Sequence, residues 1–207
     1  MVTVREITCE RSCARILLDT GETFYLQRED LAVSGITEGE TCDQEDFLRK
    51  IRILQYPRAL NVAVAMLARR PCSSGEILSR LAYRRFTDEV AGLVLYKLEK
   101  EKLIDDRAFC GQWIRFRSGR GIGPSAIRRE LRMKGIPDDM ISAALEQLDP
   151  SEETENALKA ARKAWSRIKP GGDVRRTRQK VTASLVRKGY GWEEARSACE
   201  AAEEEKA

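Results

Sequence analysis

A stretch in the middle of the chain decides the fold: residues 123–136, which read GPSAIRRELRMKGI. Ile127 and Leu131 are four positions apart, so they lie on the same face of a helix. Pro124 suits a first helical position, and Gly135 is typical of a residue just past a helix end. The stretch therefore predicts one short amphipathic helix with a buried side.

The same plan occurs once before and once after this stretch. Leu131 aligns with Leu81 and Leu185, at spacings of 50 and 54 residues. Each copy then has an apolar or aromatic residue five positions later and an acidic pair that opens the next helix. A period of about 50 residues is typical of helical repeats. We predict a mainly α fold, an elongated array of three tandem three-helix repeats.

The repeats divide most of the chain, at residues 57–104, 105–149 and 150–207, and the last carries an acidic tail. Ser73 and Glu76 have the spacing of a capping box in the first repeat. Residues 169–173, KPGGD, predict a break between two helices of the third repeat.

Residues 1–50 have a different pattern, in which β-prone residues dominate. Arg15–Asp19 and Thr23–Leu26 flank a glycine-containing turn, which predicts a β-hairpin. Residues 2–8 can supply a third strand, and Leu31–Gly35 a short helix that ends at its glycine. We therefore expect a small β-rich N-terminal extension before the repeats.

Charge is unevenly distributed along the chain, whose net charge is +4. Residues 1–56 hold 7 basic and 11 acidic residues, which leaves 30 basic and 22 acidic residues for the remainder. A basic body suggests an anionic partner. No apolar run approaches the roughly 20 residues that cross a bilayer, and the N-terminus lacks the apolar core of a signal peptide. We expect a cytoplasmic protein without a membrane partner.

The six cysteines are dispersed, without a CxxC pair, and the chain has no histidine. Cys9 and Cys13 could be half of a metal site, but no second pair completes it, so small reduced side chains are favoured. We expect no metal and no other cofactor.

Two stretches carry most of the functional signal, because their basic residues almost lack acidic neighbours. Residues 115–134 hold seven basic residues against Glu130, and residues 162–188 hold ten against Asp173. Such clusters suit phosphate groups or an acidic protein groove, and the alternative is a solvated helix face. The candidate binding residues are Arg115, Arg117, Arg120, Arg128, Arg129, Arg132, Lys134, Arg175, Arg176, Arg178, Lys180, Arg187 and Lys188.

Other candidate sites have a structural explanation. Trp113 and Trp165 lie on apolar stripes and predict core packing, whereas Trp192 is balanced between packing and an exposed anchor. The loop at residues 119–123, GRGIG, lacks the Lys-Ser/Thr of a P-loop, so an interhelical loop is favoured over a phosphate cradle.

Catalytic residues are not evident in this sequence. Asp105 and Asp106 could be paired metal ligands of a nuclease, but their place before a predicted helix favours capping. No histidine, nucleophile elbow or nucleotide loop accompanies them. We therefore predict that the protein is not an enzyme, with a metal-dependent nuclease as the remaining alternative.

Two adjacent stretches resemble the RecX family. Its members pair a LxxxxLIDD–xxF–xxxW stretch with a GxxxIxxEL–xxKGI stretch, and residues 98–113, LEKEKLIDDRAFCGQW, and 123–136 match them. Residues 67–77, LARRPCSSGEI, approximate the family's LxxRxxSxxEL, with one extra residue before the Glu. The resemblance covers roughly residues 58–200. The β-rich region is similar to the N-terminal extension of some members, without a residue-by-residue match.

The resemblance implies a regulator of the RecA recombinase. Members of the family fold as tandem three-helix repeats, lie in the groove of the RecA–DNA filament, and usually restrain its recombinase and co-protease activities. The expected partner is thus the RecA filament, with weak binding to single- and double-stranded DNA, and the expected state is a monomer.

The runner-up function is a transcription factor that binds DNA directly. Residues 73–104 by themselves resemble a winged helix. A wing needs a β-hairpin after Leu103, where residues 106–117 instead predict a helix. The sequence thus favours the RecA regulator.

Overall fold

In the computed structural model the chain forms one small β-sheet followed by helices. The structure describes residues 1–10, 13–167 and 173–205. The break expected at residues 169–173 therefore lies outside the described residues, except for Asp173. The chain divides into two compact units, Met1–Asp105 and Asp106–Ala207.

The first unit opens with a four-stranded antiparallel sheet. Its strands are β1 (Val2–Cys9), β2 (Cys13–Leu18), β3 (Thr23–Gln27) and β4 (Thr41–Cys42), in the order β3-β2-β1-β4. Alternation along β2 and β3 buries Ile16, Leu18, Phe24 and Leu26. The predicted hairpin and third strand are confirmed. Strand β4 was not predicted, because two residues are too few to show a period.

One helix lies between β3 and β4, and a second one follows the sheet. Helix α1 (Arg28–Ser34) ends at Gly35, whose φ of 70° explains the glycine. Helix α2 (Gln44–Leu67) begins at Asp43, whose carboxylate accepts a hydrogen bond from the Glu45 amide. The short helix expected at Leu31–Gly35 is therefore confirmed, with three further residues at its start.

Helix α2 belongs to two cores at once. Phe47 and Ile51 pack against the sheet, whereas the later turns of α2 pack into the first repeat. Between them lies Gln55, whose side chain donates to the Tyr25 carbonyl at 2.7 Å and accepts from the Thr87 amide at 3.0 Å. This buried amide ties sheet and repeat together, so the N-terminal region is continuous with the first repeat.

The first repeat consists of α2, α3 (Ser74–Tyr83) and α4 (Asp88–Lys100). Ser73 and Glu76 form the predicted capping box, in which each side chain accepts from the other residue's amide. Ile77, Leu81 and Leu98 are fully buried in its core. Local capping and an apolar stripe thus agree on where α3 begins and which side it buries.

The second unit contains the other two repeats. The helices of the second are α5 (Asp106–Ser118), α6 (Pro124–Met133) and α7 (Asp138–Leu145); those of the third are α8 (Pro150–Trp165), α9 (Val174–Arg187) and α10 (Trp192–Glu204). Leu131 and Leu185, which align in sequence, are both fully buried in their own cores. The mainly α fold with tandem three-helix repeats is confirmed. The residue boundaries assigned to each repeat stay predictions.

Candidate binding surface

Arg117 joins α5 to α6. Its Nε donates to Glu130 Oε2 at 2.7 Å, its Nη2 donates to Glu130 Oε1, and Trp113 Nε1 donates to Oε2 at 3.0 Å. The Arg117 and Glu130 side chains are only 23% and 21% exposed. A bidentate, half-buried pair of this kind fixes the two helices relative to one another. The acidic residue of the 115–134 stretch therefore holds the fold together.

Arg128 and Arg132 both lie against Asp138 at the start of α7. Arg128 Nη1 is 3.1 Å from Asp138 Oδ1 and also donates to Ser142 Oγ at 2.9 Å, and Arg132 Nε donates to Asp138 Oδ1 at 2.8 Å. Hydrogen bonding to Asp138 raises the pKa of Arg132, and in return Arg132 lowers the pKa of the Asp138 carboxyl. The two arginines share a face, as expected, and that face carries its own counterion.

The four other candidates of the first basic stretch differ in their surroundings. Arg120 lies over the ring of Phe116 at 4.2 Å, and Lys134 lies over that of Trp113 at 4.2 Å. Arg115 and Arg129 are exposed and have no ion-pair partner in the described part of the chain. The structure thus spreads these side chains over several elements.

Acidic residues at the C-terminus of the chain pair with basic residues of α8 and α9. Arg178 donates to Glu203 through Nε at 2.7 Å and through Nη2 at 3.1 Å. Arg162 forms a similar pair with Glu205, which raises the pKa of Arg162 and lowers that of Glu205. The acidic tail is therefore folded against the repeat and occupies two of its arginines.

The remaining basic candidates of α9 keep their charges uncompensated. They are Arg175, Arg176, Lys180, Arg187 and Lys188, none of which has an ion-pair partner among residues 1–10, 13–167 and 173–205. The first four are exposed, and Lys188 is partly buried. These cations are thus available to an external anion, unlike Arg178 on the same helix.

A concave site of about 300 Å³ lies between α8 and α9, and we call it the basic groove. Its polar and charged lining residues are Lys163, Arg167, Lys180, Ser184, Arg187 and Lys188, and no described acidic residue lines it. Burial, and then the positive charges of Arg167 and Lys163, lower the pKa of Lys188. An anion in the groove would meet five cations and one hydroxyl.

Sequence reasoning identified three of the five cations in the basic groove. Lys163 and Arg167 lie within the basic stretch but were not selected as candidates. Lys163 lies in the last turn of α8 and Arg167 two residues past its end, and their spacing of four residues is the signal that could have identified them as neighbours. Their proximity to α9 could not be inferred from spacing, because it depends on how the helices pack.

The two repeats of the second unit meet at a close approach of glycine backbones. The amide of Gly123 donates to the Lys188 carbonyl at 2.8 Å, and the Ser125 hydroxyl donates to the Gly189 carbonyl at 2.8 Å. A Cβ on Gly189 would lie 2.4 Å from the nitrogen of Ala126. Only glycine fits there, and the contact fixes Lys188 next to the loop of the second repeat.

The backbone of the 119–123 loop is already hydrogen bonded within the protein. The amides of Gly119 to Ile122 donate to carbonyls of residues 115–118, and that of Gly123 donates to Lys188. An anion would have to displace these bonds to use the loop as a phosphate cradle. The interhelical loop therefore fits better, as the missing P-loop signature predicted.

The tryptophans follow the packing prediction. Trp113 and Trp165 are partly buried against the cores of their repeats, and the indole of Trp165 donates to the Cys199 carbonyl at 3.3 Å. Trp192 is 58% exposed, with Arg196 at 5.4 Å from its ring. Only Trp192 is therefore presented to a partner.

Neither a metal cluster nor a wing is present in the described residues. No group of three or more His, Cys, Asp or Glu residues within them could hold a metal ion. Asp106 is the first residue of α5, and this helix stands where a winged helix would need its hairpin. No helix among the described residues is both long and apolar enough to span a membrane.

Comparisons with known proteins agree on one family. Residues 105–145 match the family model "RecX, second three-helix domain", and residues 151–199 match "RecX, third three-helix domain". A regulatory protein RecX of Mycolicibacterium smegmatis is 38% identical over 138 residues, which are 64% of this chain and 73% of the relative. One of Bacillus licheniformis is 28% identical over 183 residues, 86% of this chain and 68% of the relative.

Solved structures show the same similarity in three dimensions. A crystal structure of a regulatory protein RecX aligns with a TM-score of 0.64 at 26% identity, covering 99% of this chain and all of the other. The RecX structure from Lactobacillus salivarius aligns with a TM-score of 0.64 at 21% identity over 72% of this chain and 96% of its own length.

Proposed function

Because this chain belongs to the RecX family, we propose that it regulates the RecA recombinase by binding the RecA–DNA filament and lowering its activity. The support is that the relatives carry the name regulatory protein RecX. The proposal includes a cytoplasmic location and a monomeric state.

The basic groove is the observation that supports a contact with DNA. Five cations converge on about 300 Å³, and the described part of the chain brings no carboxylate to them. Like charges held this close are unfavourable until an anion arrives, and a phosphate of the filament's DNA supplies one. Ser184 adds a hydroxyl donor to the same site.

The candidate residues divide by role under this proposal. Arg117, Arg128, Arg132 and Arg178 pair with the protein's own carboxylates and support the fold. The groove residues contact phosphates, joined by the exposed cations at the start of α9. Arg115, Arg120, Arg129 and Lys134, which lie on several elements, are proposed as further separate contacts with the filament.

The test is RecA-catalysed, single-stranded-DNA-dependent ATP hydrolysis, titrated with this protein. We expect inhibition, and a Lys180→Gln/Arg187→Gln variant should need at least tenfold more protein for the same effect. An Arg128→Gln/Arg132→Gln variant removes the same charge and serves as the matched control. No effect of the wild-type protein at stoichiometric excess over an active RecA would reject the proposal.

A further inference from the structure

A second concave site lies in the same unit and differs from the basic groove in the chemistry of its lining. It is a cavity of about 340 Å³ between the end of α5, the loop that precedes α6, and α8. Its wall combines Ile122, Pro124 and Leu148 with Glu152, Glu153 and Tyr190. Its lining thus includes apolar and acidic residues, whereas no described acidic residue lines the basic groove.

One buried oxygen of the cavity wall, and a second one on a neighbour of that wall, lack hydrogen bonds. Within residues 1–10, 13–167 and 173–205, the only buried side-chain nitrogen or oxygen atoms without a partner are Tyr190 Oη and Glu194 Oε1. Tyr190 is 4% exposed and lines the cavity. Glu194 does not line the cavity, but its charge acts on Tyr190. Buried polar atoms are nearly always hydrogen bonded, so the unpartnered Tyr190 Oη in the wall indicates a site that accepts a donor from outside.

The electrostatics of the cavity favour a positive group. Burial and the negative charges of Glu194 and Glu153 raise the pKa of Tyr190 to about 12. Burial and Glu153 also raise the pKa of the Glu194 carboxyl. Glu155, also in the lining, is already paired with Lys159 at 2.7 Å. Glu152, Glu153 and Glu194 have no ion-pair partner among the described residues. The lining also holds two exposed cations: Lys159, which pairs with Glu155, and Arg115, which we call the rim cation.

We propose that this cavity receives a lysine or arginine side chain from a protein partner. The aliphatic part of such a side chain would lie along Ile122, Pro124 and Leu148. Its cationic head would donate to Tyr190 Oη, next to which Glu194 supplies one negative charge. Glu153 supplies the second negative charge. Binding at this cavity requires neither the basic groove nor the RecA filament.

The experiment is an amide-resolved NMR titration of the full-length ¹⁵N-labelled chain. The probes are N-acetyl-lysine amide, N-acetyl-arginine amide, the neutral isostere N-acetyl-norleucine amide, and spermidine. We expect the two basic amides to shift the signals of Gly119, Ile122 and Tyr190 with Kd values on the order of 1–10 mM, since a single side chain buries little area. The neutral amide should bind at least fivefold more weakly.

Two variants with opposite expected signs make the test specific. Glu153→Gln/Glu194→Gln keeps the shape of both side chains and should weaken binding of the basic amides at least fivefold. Arg115→Gln removes the rim cation and should strengthen it about twofold. Glu193→Gln, which alters the exposed neighbour on α10, is the control and should change nothing.

Three outcomes would overturn the proposal. The first is the absence of shifts with either basic amide at about 50 mM, a concentration well above the expected Kd. The second is equal binding of the neutral amide, or of the basic amides to the Glu153→Gln/Glu194→Gln variant with unchanged circular dichroism. The third is binding of spermidine more than tenfold tighter than either amide, which would assign the cavity to a free polyamine.

Discussion

Helix α6 and the basic groove are both rich in basic residues, yet they expose charge differently. On α6, Arg128 and Arg132 converge on Asp138 from the next helix. In the groove, Lys180, Arg187 and their neighbours converge on one another, with no described acid among them. The difference shows that density of basic residues in a sequence does not measure the charge left for a partner, because a distant carboxylate can neutralise it.

The energetic consequence follows from what each cation would exchange on binding. An arginine of α6 would have to leave Asp138 before it could bind a phosphate, so the gain is the difference between two similar ion pairs. A groove cation exchanges only water and a repulsive neighbour for a phosphate, and it releases counterions from the DNA. We therefore expect the DNA affinity to depend more on the groove cations than on Arg128 and Arg132 of α6.

The largest expected effect is a loss of stability at the contact between the second and third repeats. Gly189→Ala places a Cβ 2.4 Å from the Ala126 nitrogen at a residue whose φ is +94°. We expect a loss of about 3 kcal/mol or more in the free energy of unfolding, from overpacking and backbone strain. Urea denaturation followed by circular dichroism measures it.

Gly191→Ala is the matched control for this change. Two residues further on, a Cβ there would meet nothing within 4 Å. Its free energy of unfolding should stay within about 1 kcal/mol of the wild-type value. Equal losses in the two variants would show that the glycine approach does not hold the repeats.

The next effect tests the groove directly. Lys180→Gln/Arg187→Gln should weaken binding of a single-stranded oligonucleotide about 10- to 100-fold near physiological salt. The slope of log affinity against log salt concentration should fall by about 1.4, or roughly 0.7 for each lost phosphate contact. Fluorescence anisotropy over a salt series measures both quantities. An unchanged slope would remove these two residues from the DNA contact.

A smaller effect is expected on raising the pH. Burial, and then the charges of Arg167 and Lys163, lower the pKa of Lys188 from its ordinary value, so this lysine of the unbound protein loses its proton at a lower pH than a free lysine does. A bound phosphate favours the ammonium form instead. DNA affinity should therefore fall as the pH rises through the lowered pKa of Lys188, and binding should take up a proton in that same range.

Lys188→Gln is the comparison for the pH series. It cannot titrate, so its DNA affinity should be weaker at neutral pH and flatter over the same range. Anisotropy titrations at constant ionic strength provide the measurement. A wild-type affinity that is as flat as that of the variant would place the Lys188 ammonium outside the phosphate contact.

The smallest effect belongs to α6. Arg128→Gln/Arg132→Gln removes the pairs with Asp138 and should change the DNA affinity less than about twofold, since those charges are already compensated. The pKa of the Asp138 carboxyl should rise toward its ordinary value in this variant, because both arginines lower it in the wild-type protein. NMR of the carboxyl carbon follows this pKa. A loss of DNA affinity equal to that of the groove variant would erase the contrast between the two regions.

Much of the fold could be predicted from local patterns. The Leu131 stretch and its two copies predicted the helices, and Ser73, Gly35 and Gly135 marked helix ends that the structure confirms. These signals work because a cap or an apolar stripe acts within a few residues. Strand β4 and the double role of α2 could not be predicted, since both depend on partners 30 or more residues away.

The candidate site was predictable only in part. The sequence determined which stretches carry basic residues, and its motifs indicated the family. Only the tertiary structure decided that Asp138, Glu203 and Glu205 neutralise some arginines, and that α8 brings Lys163 and Arg167 to α9. The physical reason is the separation along the chain between the groups that interact. Helix periodicity and capping are set by neighbours in the chain, whereas the charge on a surface depends on every group that folding brings within a few ångströms.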